Sequence, residues 1–313
     1  MSFATVLQRC GQALLVLLVT YALAFILLSA LPSDAVMARF ASPELGLSAE
    51  EIAAIRQEYG VDRPLILQFF ISLWGFIRGD FGYSVQTGTA VSSMIREALP
   101  GTIGLALAAF LLAILLTAVL AVLATVPSSP WLRSFINTLP GIMVSLPSFW
   151  IGVIIIQVVS FQLGWIPVIQ PTRWQSLILP AFTLSIPIAA PLTQIFLRSI
   201  EDTAQQPFIS VVRSRGASRW WIFSRNIFRN ALLPTLTMAG LLFGELVGGA
   251  VVTEAVFGRA GIGHLTVNAV ANRDTPVLLA VVIIAATTYV IINLIVDLLY
   301  PVLDPRLRRK ARS

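Results

Sequence analysis

The stretch LPGTIGLALAAFLLAILLTAVLAVLATV, Leu99–Val126, contains no charged residue. A helix of about 20 mostly apolar residues crosses a hydrocarbon core of roughly 30 Å, so this run is long enough to span a bilayer. Glu97 and Arg133 fence it. The same fencing isolates Cys10–Leu31, Leu139–Phe161, Ser176–Leu197 and Pro276–Val296. A further run, Leu232–Phe257, differs in holding Glu245 and Glu254. The 313-residue chain is 57% hydrophobic and 12% charged, whereas a soluble domain carries roughly 25% charged residues. The expected fold is therefore an all-α membrane protein with six transmembrane helices and both termini on one side. Cys10–Leu31 is longer than a signal-peptide core of about 7–15 residues and no A-x-A site follows it, so it reads as a retained span.

Loop arginines set the orientation. With cytoplasmic termini, the inside carries Arg9, Arg133, Arg198, Arg213, Arg215, Arg219, Arg225 and Arg229, and then Arg306, Arg308, Arg309, Lys310 and Arg312. The short outer loops carry Arg173, Arg259 and Arg273. The long first loop, Pro32–Ala98, is net acidic and obeys the rule weakly because of its length.

Several chemistries are excluded. The single cysteine, Cys10, permits no intrachain disulfide, and the single histidine, His264, permits no multi-histidine metal site. The one lysine, Lys310, lies in the tail, so no P-loop is present. No internal repeat of the kind secondary transporters show is visible. No Ser/His/Asp set marks a membrane-embedded enzyme. A stand-alone secondary transporter stays as the alternative reading.

The first loop reads as a small extracytoplasmic helical insertion. Ser48 and Glu51 fit a capping box, with Gly60 ending that helix. Pro64 fits the first position of a helix over Leu65–Ile77. Gly75–Gly88 is turn-rich, and Ser92–Pro100 reads as a short helix leading into the next span. Its two readings are a lid and a docking or gating surface.

Pro140, Pro147, Pro180, Pro187 and Pro191 crowd the third and fourth spans. Each interior proline frees a carbonyl that protein or water must satisfy, which suits a bundle with a cavity. Glu245 lies mid-span, where a carboxylate is costly unless it faces a cavity or is protonated. It either lines a translocation path or glues two helices as a neutral, hydrogen-bonded carboxyl. Gly240, Gly244, Gly248 and Gly249 near it have the spacing of a close helix contact. Ser148, Gln194 and Glu254 complete the path candidates.

The stretch PFISVVRSRGASRWWIFSRNIFRNALLP, Pro207–Pro234, is basic and aromatic. Pro207 and Gly216 bracket a short helix, and Ser218 caps a second. A membrane-surface topology signal accounts for the arginines, each stabilised by about 1 kcal/mol near anionic headgroups. It does not account for the central glycine or for Trp220, Trp221, Ile222, Phe223, Ile227 and Phe228. A docking element does.

VVRSRGASRWWIFSRNIFRNALLP, Val211–Pro234, resembles the coupling loop of binding-protein-dependent ABC importer permeases. The motifs LPSDA (Leu31–Ala35), YGVDRPLILQF (Tyr59–Phe69), GDFGYSVQTG (Gly79–Gly88) and SLPSFWIG (Ser145–Gly152) extend the resemblance. So do LGWIP (Leu163–Pro167), GGAVVTEAVFGRAGIGHL (Gly248–Leu265), RDTPV (Arg273–Val277) and DLLYPVLDPRLR (Asp297–Arg308). Together they are similar to the first permease subunit of dipeptide/oligopeptide importers. Pro207-Phe208 and Ser214-Arg215 depart from that pattern.

The resemblance implies a type I ABC importer permease fold in the bacterial inner membrane. Its parts would be residues 1–31, an outer loop 32–98, a core 99–300 with coupling loop 203–230, and a basic tail 301–313. It implies that Arg213, Arg215, Gly216, Ala217, Trp220 and Trp221 meet a cytoplasmic ATPase. The implied partners are two ATPases carrying ATP and Mg, a homologous second permease, an extracytoplasmic substrate-binding protein and membrane lipid. No cofactor on this chain and no nucleic acid are implied. The implied cargo is a dipeptide or oligopeptide, with a metal chelate or glutathione as alternatives.

Overall fold

A computed structural model describes residues 3–30, 35–40, 46–58, 60–127 and 129–303. Leu31–Asp34, Tyr59 and the tail from Asp304 lie outside the described residues, and with them parts of three motifs quoted above. The elements are α1 (Phe3–Ser29), α2 (Ala35–Phe40), α3 (Ala49–Glu58), α4 (Leu65–Arg78), α5 (Val91–Thr125) and α6 (Pro130–Ser145). They continue as α7 (Ser148–Ile155), α8 (Gln175–Ala204), α9 (Pro207–Ser214), α10 (Arg219–Ile222), α11 (Phe228–Val256), α12 (Ile262–Ala271) and α13 (Thr275–Leu303). Wider π-helical turns extend α7 over Ile156–Gln162 and join α10 to α11 over Phe223–Ile227.

Among the described residues, four helices are each long and apolar enough to cross a membrane, α1, α5, α8 and α13, and up to six spans result if each of two bent helix pairs counts as one. The third expected span, Leu139–Phe161, is not a continuous helix. Its axis turns by 102° between Ser145 and Ser148. Pro147 is the cause, because a residue before proline is pushed out of helical geometry. Leu146 accordingly takes φ −94° and ψ 123°. Counting uncharged residues measured apolar length but not continuity. The reverse holds upstream: Ser92–Pro100 is no separate helix, since α5 runs unbroken through Pro100. Pro64 also sits one place earlier than expected, capping α4 rather than opening it.

The chain divides into two compact units. The first joins Met1–Ile103 to Gly258–Ile291. Val91 and Ile95 of α5, Ile262 and Ala269 of α12, and Val277 and Val281 of α13 form its core. The segment before α12 closes on the start of α5. Ile262 N–H donates to Thr102 Oγ1 at 2.8 Å, and a Cβ on Gly101 would lie 2.7 Å from the Ala260 carbonyl oxygen. Only glycine admits that approach. The capping box forms as expected, with Ser48 N–H on Glu51 Oε2 at 2.8 Å and Glu51 N–H on Ser48 Oγ at 3.3 Å.

The second unit joins Gly104–Phe257 to Ile292–Ser313, with α8 packed on α6, α7 and α11. Leu105, Leu184, Leu192 and Leu246 are buried at its centre. Small side chains let α8 come close to its neighbours: Ala189, Ala190 and Thr193 have no exposed surface. Thr193 donates to Thr117 Oγ1 at 3.2 Å, and Thr117 to the Ala189 carbonyl at 3.4 Å. Of the four glycines near Glu245, Gly249 meets Leu184 of α8, while Gly248 faces open space.

Candidate coupling site and translocation path

Pro207 opens α9 after Gln206, whose extended backbone lies outside the helix. Proline suits that place because its missing N–H would have no helical partner anyway. The helix stops at Gly216, which takes φ +81°. That left-handed conformation is open to glycine at no steric cost. Gly216 N–H closes the turn on the Arg213 carbonyl at 3.0 Å. Ser218 then caps α10, its hydroxyl accepting from Trp221 N–H at 3.3 Å. Both sequence signals hold. The second helix goes further than they indicate, for it continues through the π-helical turn into α11. The glycine turn is thus joined by helix to an apolar span.

The aromatic surplus splits between two jobs. Ile209, Ile222, Phe223 and Ile227 are buried with Ala121 of α5 and Ile200 of α8. Phe228 meets Phe196 edge-on at 5.6 Å. These residues anchor the element to the bundle. The other side stays uncovered: Trp220 is 55% and Trp221 48% exposed, beside Phe208 and Val211. Arg213, Arg215, Gly216 and Arg219 are exposed on the same element, and Ala217 is half-buried against the anchor. The structure therefore gathers the six coupling candidates on one short helix–turn–helix.

The path candidates are less uniform. Glu245 of α11 and Gln194 of α8 are exposed, Ser148 at the start of α7 is half-buried, and Glu254 has no exposed surface. Glu245 lies between Leu242 and Leu246, which are both buried against the bundle. Glu245 projects from another side of α11.

One polar cluster was missed by sequence reasoning. Asp274, just before α13, is 3% exposed. Its carboxylate accepts from the Ser84 hydroxyl and from Val85 N–H. Gln86 adds a bond to the Asn272 carbonyl at 3.0 Å. Two of the motifs, GDFGYSVQTG and RDTPV, thus bind each other across 190 residues of chain. An aspartate before a helix reads as a cap for that helix, and nothing local says that it serves another loop.

Long apolar helices, broken helix pairs and a basic, aromatic helix–turn–helix define a multi-pass membrane protein. Residues 113–309 match the family model "Binding-protein-dependent transport system inner membrane component". Residues 2–106 match that family's N-terminal model. The chain belongs to this family of ABC importer inner-membrane permeases. It is 34% identical to a glutathione transport system permease protein of Salmonella paratyphi A, over 97% of this chain and 99% of that one. It is 35% identical to a putative peptide transport system permease protein of Brucella melitensis biotype 1, over 98% and 99%. A glutathione transport system permease protein of Escherichia coli O1:K1 is 32% identical over the same shares as the first. A permease of a binding-protein-dependent system works with a substrate-binding protein and other ABC subunits.

Proposed function

We propose that this chain forms half of a peptide-conducting pore and is driven by a separate ATPase gripping α9, Gly216 and α10. The observation that carries this reading is the two-sided coupling element. Four buried apolar residues fix it to the bundle, while Trp220, Trp221 and the arginines remain uncovered. The left-handed glycine turn and the split of one short element into a buried anchor and an uncovered face favour docking over a surface that only follows the membrane.

In this reading two cytoplasmic ATPases bind ATP and Mg, close on each other and carry the element with them. Because α10 runs into α11, through a 52° bend before Pro234, the motion would reach the span that holds Glu245. A second, homologous permease supplies the other half of the pore, and an extracytoplasmic binding protein delivers the cargo. ATP supplies the free energy on another chain, so this one carries neither catalysis nor cofactor. Both termini lie in the cytoplasm in this reading, which the arginine asymmetry supports. The cargo is a dipeptide or oligopeptide. The relatives named for peptide and for glutathione transport share amide-linked amino-acid cargo, which supports that class.

The test replaces Trp220 and Trp221 together by alanine in the full chain. Membrane insertion is expected to persist while the ATPase no longer co-purifies and ATP-driven peptide uptake falls at least tenfold. Undiminished co-purification and uptake would overturn the proposal.

A further inference from the structure

The helix α4 carries a long exposed apolar surface in the first unit. None of its residues is buried. Ile66, Phe70, Trp74 and Ile77 form one uncovered stripe, with Leu65, Leu67 and Ile71 beside it. From Leu65 to Ile77 there is no charge, and Arg63 and Arg78 flank the run. Its 14 residues make a rod about 21 Å long, too short to span a core of about 30 Å.

Its position against α1 decides what covers the stripe. Phe69 meets Tyr21 at 5.3 Å and Phe25 at 5.4 Å, and Phe76 meets Tyr21 at 5.4 Å. Tyr21 and Phe25 lie about 6–12 Å inside the end of α1 at Ser29, by helical rise. Leu23, Ile26 and Leu27 of α1 are exposed at the same level along that helix. Arg78 stacks on the Trp74 ring at 4.5 Å, a contact that keeps a cation beside apolar surface.

We propose that α4 is embedded in the bilayer leaflet at the Ser29 end of α1, with its stripe covered by acyl chains. The insertion is then a half-immersed element rather than a cap standing in water. This does not depend on the ATPase coupling or on the peptide cargo.

Single cysteines test it in a Cys10→Ser background of the full chain, reconstituted into phosphatidylethanolamine/phosphatidylglycerol vesicles and spin-labelled. Sites on α4 are Ile66→Cys, Phe70→Cys and Ile77→Cys. Leu23→Cys on α1 serves as the lipid reference and Glu50→Cys on α3 as the water reference. The expected result is collision with oxygen over a polar nickel chelate in the ratio seen at Leu23→Cys. A ratio matching Glu50→Cys overturns the proposal in favour of water. Low collision with both reagents overturns it in favour of a protein cover. All five substitutions replace exposed side chains, so misfolding would not mimic either result.

Discussion

Asp274 shows how much of the first unit hangs on one carboxylate. Removing it leaves the buried Ser84 hydroxyl and the Val85 N–H without their acceptor. Hydrogen bonds to a charged group contribute about 1.5–3 kcal/mol each. Asp274→Ala should lower stability by about 3 kcal/mol, and Asp274→Asn by less, as read from thermal unfolding in detergent. A Ser84→Ala/Asp274→Ala double mutant should lose clearly less than the sum of the single losses; strict additivity would remove Ser84 from the bond. The two informative glycines separate by the same measurement. Gly101→Ala meets a fixed backbone oxygen and should cost about 3 kcal/mol, the upper end of overpacking losses. Gly216→Ala has open space around it and should cost about 1 kcal/mol, through its left-handed backbone alone. Equal losses would contradict that division. At Glu51, bonds from the Ser48 N–H and hydroxyl hold the carboxyl below its ordinary range. Its folded pKa is therefore below its unfolded one. The capping box is fully stabilising above the unfolded value and is lost as pH falls through the folded one. Protection of the Ser48 amide against hydrogen exchange, corrected for intrinsic rate, should fall over that acid window, and Glu51→Gln should flatten the change.

At the scale of elements, legibility follows locality. The caps at Ser48 and Ser218 and the stop at Gly216 are decided within a few residues, and they could be read in advance. The break at Pro147 carried a local signal too, since Leu146 had to leave the helix. Its 102° turn did not, because that angle is set by packing of α6 and α7 on α8. Fusion of α10 with α11 was hidden for another reason: an apolar run and a basic run looked like separate pieces, yet helix formation tolerates both. The helix–turn–helix shape of Pro207–Pro234 was legible, but the division of its apolar residues into anchor and open face was not. That division yields a prediction. Ile209→Ala and Phe223→Ala empty buried sites and should destabilise by roughly 2–5 kcal/mol. Trp220→Ala and Trp221→Ala remove exposed rings and should leave unfolding within about 0.5 kcal/mol of the parent. Should the tryptophan variants unfold as early as the anchor variants, the exposed rings are structural and the docking surface loses its basis.

For the whole molecule, Glu245 bears on where the proposed second subunit would belong. α11 buries Leu242 and Leu246 against the bundle, and the carboxylate next to them projects elsewhere. Acyl chains are an expensive neighbour for it, at about 2.5–3.5 kcal/mol for a charged side chain at span centre on insertion scales. A watery path or a polar face of the partner permease removes that cost. In the proposed pore, the side of α11 bearing Glu245 is then the side that would face the path, and Gln194, exposed on α8, is a second polar group of the same unit that would be available to it. A carboxylate in the path would meet the ammonium end of a peptide. Glu245→Gln keeps the shape and removes the charge. ATP-driven uptake of peptides with a free amino terminus should fall about tenfold, or roughly 1.4 kcal/mol, while uptake of amino-terminally acetylated peptides changes little. Co-purification with the ATPase should not change, because the coupling element is untouched. Equal loss for both kinds of peptide would assign Glu245 to helix contact, and no loss for either would remove it from the path.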